Sequence, residues 1–202
     1  MAVSWTAHRF SGGALALDTA NTVVLRHNAA RTFDRFDDVS EIARFAEAAS
    51  GYRADELGNR HLEAGDTGLA GRLIGLREAT DRLFREAAAN EALDGESLHG
   101  FVSACATGLA STKGVLAAPG RPFGDPATPI ALDAAVAVSA LALLRAARDR
   151  RIRICANCGW LFLDASRNRS RLWCDMTVCG NRAKAKRHYR RRREEERSVG
   201  DA

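Results

Sequence analysis

A mainly α chain, with a helical body and a small metal-held module at its C-terminal end, is what three observations in the sequence predict. Four of the five cysteines fall in the last quarter as two close pairs, Cys155-x2-Cys158 and Cys174-x4-Cys179. Through most of residues 1–150, apolar residues recur at helical spacing between capping residues and glycines. Charge divides the same way: residues 151–202 hold 14 Lys/Arg against 6 Asp/Glu, whereas residues 1–150 hold 16 against 19. The expected domains are therefore a helical unit, 1–150, and a metal module, 151–202.

A chain of 202 residues that is 46% hydrophobic can bury one good core and still carry such a module. One Zn²⁺ with four thiolates subtracts two charges from the tail's excess of eight and leaves it basic. A basic module beside a mildly acidic body points to a polyanion partner, most often nucleic acid. The first residues lack a basic region followed by a continuous apolar run, so a cytoplasmic protein is expected. The longest apolar stretch, Ile130 to Leu144, is too short to span a bilayer, and no membrane partner is expected.

The first element lies in Gly12 to Leu25, which is apolar enough to be buried, with Asp18, Asn21 and Thr22 embedded in it. On a helix Asp18 faces Asn21 and Thr22 at i+3 and i+4, giving one polar cluster. That cluster reads either as a structural network or helix cap, or as the polar floor of a small-molecule pocket. Next, Asp38-Val-Ser-Glu41 has the form of a capping box and starts a helix with Ile42, Phe45, Ala46 and Ala49 inside, closed by Gly51. Ala54 to Ala64 predicts a second helix, weakened by Gly58, and Gly65 to Gly68 a turn.

Leu69 to Ala89 is the most regular helix: Leu69, Leu73, Leu76, Leu83, Phe84 and Ala87 share one face, with Arg77, Glu78, Asp81, Arg82, Arg85 and Glu86 mostly outside. Asp94-Gly-Glu-Ser97 opens a helix whose stripe carries Leu98, Phe101, Val102, Cys105 and Leu109, which makes Cys105 a buried core thiol. Lys113 to Thr128, with Pro119, Pro122 and Pro126, reads as loop or extended chain. Thr128-Pro129 then caps a helix from Ile130 to about Arg148 that is apolar on nearly every face and belongs in the middle of a bundle. Arg145, Arg148, Arg150 and Arg151 suit its negative pole.

In the tail, Arg151-Ile-Arg-Ile154 reads as an edge strand that delivers the chain to Cys155. Gly159 to Asp164 puts Trp160 and Phe162 on one strand face and Leu161 and Leu163 on the other. The chain returns after a polar turn as Arg171 to Cys174, so the expected arrangement is a hairpin between the two cysteine pairs. From Cys179 onward the residues are helix formers with no breaker until Gly200. A knuckle, a β-hairpin and a basic helix describe a small treble-clef-like zinc finger. Cys155, Cys158, Cys174 and Cys179 close the coordination of one Zn²⁺, which is therefore structural. A reducing cytosol argues against disulfides, and the tight knuckle favours zinc over an iron-sulfur cluster.

At Cys179-Gly180-Asn181-Arg182 the chain resembles the CGNR-type zinc finger proteins of bacteria. The resemblance extends through Cys155-x2-Cys158, Trp160-Leu-Phe-Leu-Asp164, Ser166-Arg-Asn168, Trp173-Cys174 and Ala183-Lys-Ala-Lys186. Leu17-Asp18-x-x-Asn21-Thr22 is similar to the signature that opens the family's partner domain, called ABATE, although Thr19 stands where members carry a bulky apolar residue. The resemblance implies a stress-related transcription regulator whose finger binds DNA.

For that function the candidate residues are basic. Arg182, Lys186, Arg190, Arg193 and Arg197 share one helix face, flanked by Lys184 and Arg187, and Arg167, Arg169 and Arg171 stand at the expected hairpin tip. The helix would enter a major groove of double-stranded DNA, with Asn181 or an arginine reading base edges. The alternatives are a solvated charged face, a protein-interaction module or an RNA-binding module. Tyr189 is the lone aromatic residue of the basic helix, which favours duplex over single strands. A small-molecule effector and a homodimeric state are the further partners such a regulator would have. An enzyme is not expected, since the five histidines are scattered at 8, 27, 61, 99 and 188.

Overall fold

The computed structural model describes residues 2–110, 112, 125, 127–149 and 151–200. Its centre is a short helix, α1 (Leu15–Ala20), every residue of which is buried. Against it pack α4 (Leu69–Asn90) and α6 (Leu132–Arg148), and α5 (Gly95–Leu109) packs on those two. Leu73, Leu76, Leu83 and Phe84 of α4 meet Phe101 and Cys105 of α5 and the alanine-rich face of α6 in one apolar cluster. The small residues of α6 let the helices approach closely, and burial pushes the Cys105 thiol up to about 11, as suits a core thiol. Asp94 caps α5, its carboxylate accepting from the Ser97 N–H at 2.8 Å. Val102, expected on the buried stripe of α5, is instead half exposed.

Before these helices lie β1 (Val23–Val24) paired with β2 (Phe33–Asp34), then α2 (Ser40–Tyr52) and α3 (Ala54–Leu57). The capping box does not form. Asp38 accepts from the Ser40 N–H, while the Glu41 carboxylate accepts from the Val3 N–H and the Trp5 indole, so it ties the N-terminal segment to α2. Helix α2 runs through Gly51 to Tyr52. The helix expected from Ala54 to Ala64 stops at Leu57, because Gly58 takes a left-handed φ of 61°. Beyond it, β3 (Leu62–Glu63) pairs in parallel with β4 (Ile130–Ala131). That pairing takes Ile130 and Ala131 out of the helix expected to begin at Ile130, so Ala131 stands at its N-cap without a side-chain bond, and the Thr128 and Pro129 carbonyls accept from Arg60. The expected loop Lys113 to Thr128 lies largely outside the described residues, as do Arg150 and the side chain of Arg148.

Two charges assigned to the outer face of α4 are buried. Arg77 donates to both oxygens of Asp34 at 2.7 Å, and Asp81 accepts two bonds from Arg85. Helical periodicity alone cannot foresee that β2 and the C-terminal module cover this side of α4.

The module begins with an antiparallel hairpin of β5 (Ile152–Ile154) and β6 (Leu161–Leu163), with Ile152 opposite Leu163 and Ile154 opposite Leu161. The hairpin therefore encloses the first cysteine pair and does not lie between the two pairs. Residues 171–174 form no strand. The Arg171 N–H bonds Asp164, and the Leu172 carbonyl accepts from the Ala156 N–H, so this segment closes over the knuckle. The last element is α7 (Asn181–Gly200).

Strand β6 has two buried faces. Leu161, with Ile152 beside it, belongs to the core of the helical body, whereas Trp160 and Phe162 belong to the cysteine cluster. Asn21, just past the end of α1, completes this joint: its Nδ2 donates to the Leu161 carbonyl and its Oδ1 accepts from the Leu161 N–H, both at 2.9 Å. The side-chain amide thus behaves as one residue of a neighbouring strand. Next along, the Leu163 N–H bonds the Gly12 carbonyl at 2.7 Å. Gly13 has a φ of 88°, and a Cβ there would meet Leu163 Cβ at 3.0 Å, so glycine is what permits the approach. Composition changes at residue 150, but packing is continuous across it. Among the described residues no helix is long and apolar enough to cross a membrane.

The expected cluster of Asp18, Asn21 and Thr22 is not assembled, because α1 ends at Ala20 and the three side chains part. Asp18 accepts from the Gly12 N–H and from Arg53, Thr22 donates to the Thr19 carbonyl and accepts from Arg77, and Asn21 holds β6. Asn21→Ala leaves both polar groups of Leu161 buried and unpaired, and should lower the unfolding free energy by about 3 kcal/mol in urea titration. A loss under about 1 kcal/mol would show that the joint does not depend on this amide.

Burial pushes the Asp18 carboxyl up to about 7, although Arg53 pulls the other way. In the unfolded chain it ionises near 3.8, so between these values the native state holds the extra proton. This contribution is full below 3.8 and is lost as pH rises through 7. The stability of the wild-type chain relative to Asp18→Asn should therefore fall from pH 4 to pH 8, and a constant difference would contradict the assignment.

Candidate metal centre

Each cysteine is placed by local backbone bonds. The Cys155 N–H bonds the Trp160 carbonyl at 2.8 Å as β5 ends, and the Gly159 N–H returns to the Cys155 carbonyl at 2.9 Å, which closes the knuckle. Gly159 has a φ of 74°, and a Cβ there would lie 2.7 Å from His27 Nδ1, so the position after Cys158 admits only glycine without strain. Cys174 lies just before, and Cys179 within, a single wide turn, Met176–Gly180, that leads into α7. Asp175 caps that turn: one carboxylate oxygen accepts from the Thr177 and Val178 N–H groups and from the Thr177 hydroxyl. Its other oxygen lies 3.0 Å from His8 Nδ1. Burial raises the Asp175 carboxyl, but the bonds from Thr177, His8 and Val178 outweigh it and lower the group to about 2.

The four Sγ atoms lie within 4.8 Å of one another. Cys158 to Cys174 and Cys174 to Cys179 are each 3.7 Å apart. Zinc at about 2.3 Å from four tetrahedral sulfurs sets them about 3.8 Å apart, so the cage has the size of one ion. A disulfide would bring two sulfurs to about 2.05 Å. A multi-iron cluster would spread all four sulfurs wider than they are. The Cys155 thiol is pulled well below its ordinary range by sulfur hydrogen bonds from Cys158 and then Cys174, while the same contacts with Cys155 push those two up. A divalent cation relieves this competition by taking all four as thiolates. Three of the cysteines are buried and Cys158 is half-buried, under Trp160, Phe162 and Trp173.

The body contributes to this cage. Arg85 of α4 donates to the Gly159 carbonyl at 2.8 Å while paired with Asp81. His8 stacks on Trp160 with ring centroids 5.2 Å apart. Sequence reasoning missed His8, Arg85 and Asp175. Asp175 carried a usable signal, an aspartate two residues before a threonine at a helix start, but the other two come from distant segments.

The basic candidates divide. Arg171 is turned inward: it donates to the Cys174 carbonyl at 2.7 Å and to the Trp173 carbonyl at 3.3 Å, and lies over the Phe162 ring at 5.2 Å. Arg169 has a φ of 49° and donates to the Asp149 carbonyl. These two brace the loop after β6, so no basic hairpin tip is built from them; Arg167 is exposed on the same loop. Asn181 donates to the Thr177 carbonyl at 2.8 Å. Arg182, Lys184, Lys186, Arg187, Arg190 and Arg193 are exposed along α7. The side chain of Arg197 lies outside the described residues.

Residues 151–192 match the model of the CGNR zinc finger family. No curated protein and no solved structure matches the chain. The tetrapeptide of that family is legible in the geometry: Cys179 is a ligand, Gly180 lets Met176 and Trp173 close over the turn, and Asn181 ties α7 back to Thr177. The finger holds one structural zinc, bound by Cys155, Cys158, Cys174 and Cys179, with no coordination position left for chemistry.

Elemental analysis should give one zinc per chain, and Cys174→Ser should lower metal retention by at least about tenfold in competition with a chromophoric chelator, as loss of a thiolate ligand requires. Equal retention by wild type and variant would exclude Cys174 from the cage.

Proposed function

We propose that the chain is a DNA-binding transcription regulator in which the zinc finger presents α7 to duplex DNA, and that residues 1–150 form an ABATE-type domain. The observation that carries this reading is the exposure of α7. The helix is polar all round, and its described side chains are exposed almost without exception. Such a helix gains little from packing and keeps its charges free for a partner. Its contacts are concentrated on the metal-bound turn at its root, so the cage aims it. Arg192 and Glu196 pair at 3.2 Å on its surface, a contact that adds little to stability.

A groove of about 340 Å³ runs between this helix and the knuckle, lined by Ala156, Asn157, Trp173, Lys186, Arg187 and Arg190. Its basic wall suits a phosphate backbone. In the body, the bonds of Asp18, Asn21 and Thr22 to protein groups favour the structural network over a pocket floor.

Binding carried by phosphates should weaken linearly with the logarithm of salt. In fluorescence anisotropy with a labelled duplex and the intact zinc-loaded chain, Lys186→Gln with Arg190→Gln should reduce that slope by about 2, close to 0.9 for each lost contact. Absence of duplex binding at low salt would overturn the reading and favour a protein partner.

A further inference from the structure

Where the N-terminal segment, β2 and the root of α7 meet, three arginines gather without an acid of their own. Arg35, just after β2, is only 5% exposed. Its guanidinium donates to the Asn21 and Thr22 carbonyls and lies over the rings of Trp160 and Phe33 at 5.3 and 5.6 Å. Arg9 sits in the short helical turn Ala7–Phe10, next to His8, which stacks on the same Trp160. Arg182 lies in the first turn of α7, beyond the Asp175 that His8 holds. One indole and one histidine thus bring the three segments together.

The acids nearby are already engaged. Asp34 gives both oxygens to Arg77, and Asp175 is taken by its own turn and by His8. Among the described residues Arg9, Arg35 and Arg182 form no ion pair. Arg9 Nε is buried and makes no hydrogen bond, and Trp160 Nε1 in the same seam is the same. A buried guanidinium facing like charges is costly, and the cost shows in its acidity: burial, then Arg9, push Arg35 down to about 10 although Asp34 pulls the other way, while burial and Arg182 lower Arg9. Two buried donors without partners, beside guanidinium charge that neighbouring acids only partly offset, are the chemistry that recognises an oxyanion. Arginine forks match the oxygens of a phosphoryl group.

We propose that Arg9, Arg35 and Arg182 form a binding site for a phosphoryl oxyanion at the seam between the helical body and the zinc finger. The site goes beyond the DNA reading and does not depend on it, because its donors come from the body as well as from α7. It gives the arginine of the Cys-Gly-Asn-Arg tetrapeptide a ligand of its own. An oxyanion there screens the repulsion among the three arginines and so tightens the seam on which α7 is mounted.

The test is a titration of the intact, zinc-loaded, ¹⁵N-labelled chain with inorganic phosphate, with sodium chloride at matched ionic strength as the control. The Arg9 Nε–H and Trp160 Nε1–H resonances should shift saturably with phosphate and not with chloride. Arg9→Gln and Arg182→Gln, both outside the core, should each weaken phosphate binding by about tenfold, the loss of one charge-assisted bond. Absence of a saturable shift, equal shifts with chloride, or variants that bind as wild type would overturn the proposal. A duplex arm then separates the sources. If duplex moves the same resonances and Arg9→Gln weakens duplex binding, the phosphoryl group is that of a nucleic-acid backbone. If phosphate binds while duplex leaves them still, the ligand is free phosphate or a small phosphorylated molecule.

Discussion

The structure depends on a pair of hydrogen bonds between one side chain and one backbone residue. Asn21 stands where α1 ends, and its amide engages both polar groups of Leu161 at 2.9 Å, 140 residues along the chain. Without it, the N–H and carbonyl of Leu161 would be buried against the body unmet, although the Leu163 N–H on the same edge keeps its bond to Gly12. With it, β6 can place Leu161 in the helical core and Trp160 and Phe162 against the cysteines. The zinc finger is therefore the last wall of the body's fold as well as a mount for α7.

That arrangement explains how so small a module folds. A hairpin of three-residue strands cannot bury a core of its own. It has two outside sources of order: the metal, which fixes Cys155, Cys158, Cys174 and Cys179, and the body, which holds the other face. The two sources meet at Gly159, whose carbonyl is held by Arg85 of α4. They meet again at Asp175, which caps the ligand turn and contacts His8. Position and orientation of α7 follow from the cage and the body together, and any partner of that helix reads both.

Much of this was legible from residue types and spacing. The two cysteine pairs fixed the metal, because few other roles place thiols at those intervals, and alternation along Trp160 to Leu163 gave the two faces of β6. The long helix α4 follows from its periodicity, and α6 from an alanine-rich run that is apolar on nearly every face. What stayed hidden has one physical origin, long-range pairing. Ile130 and Ala131 left their helix for Leu62 and Glu63, Arg77 turned inward for Asp34, and Arg171 turned onto the Cys174 carbonyl. The hairpin expected between the two cysteine pairs forms instead around the first pair, since β6 pairs with β5 and not with the chain from Arg171. Asp18, Asn21 and Thr22 read from the sequence as one polar cluster, but α1 ends at Ala20 and each bonds elsewhere.

The central claim is that body and finger share one cooperative core. Hydrogen exchange, followed by mass spectrometry on the intact chain with zinc bound and after its removal by chelation, tests it most directly. The account predicts that removal deprotects α1 and the facing part of α4 together with β5 and β6, because Leu161 and Ile152 complete the core those helices share. If only residues 151–180 lose protection while α1 and α4 exchange as before, the finger is an appended module and the account is wrong.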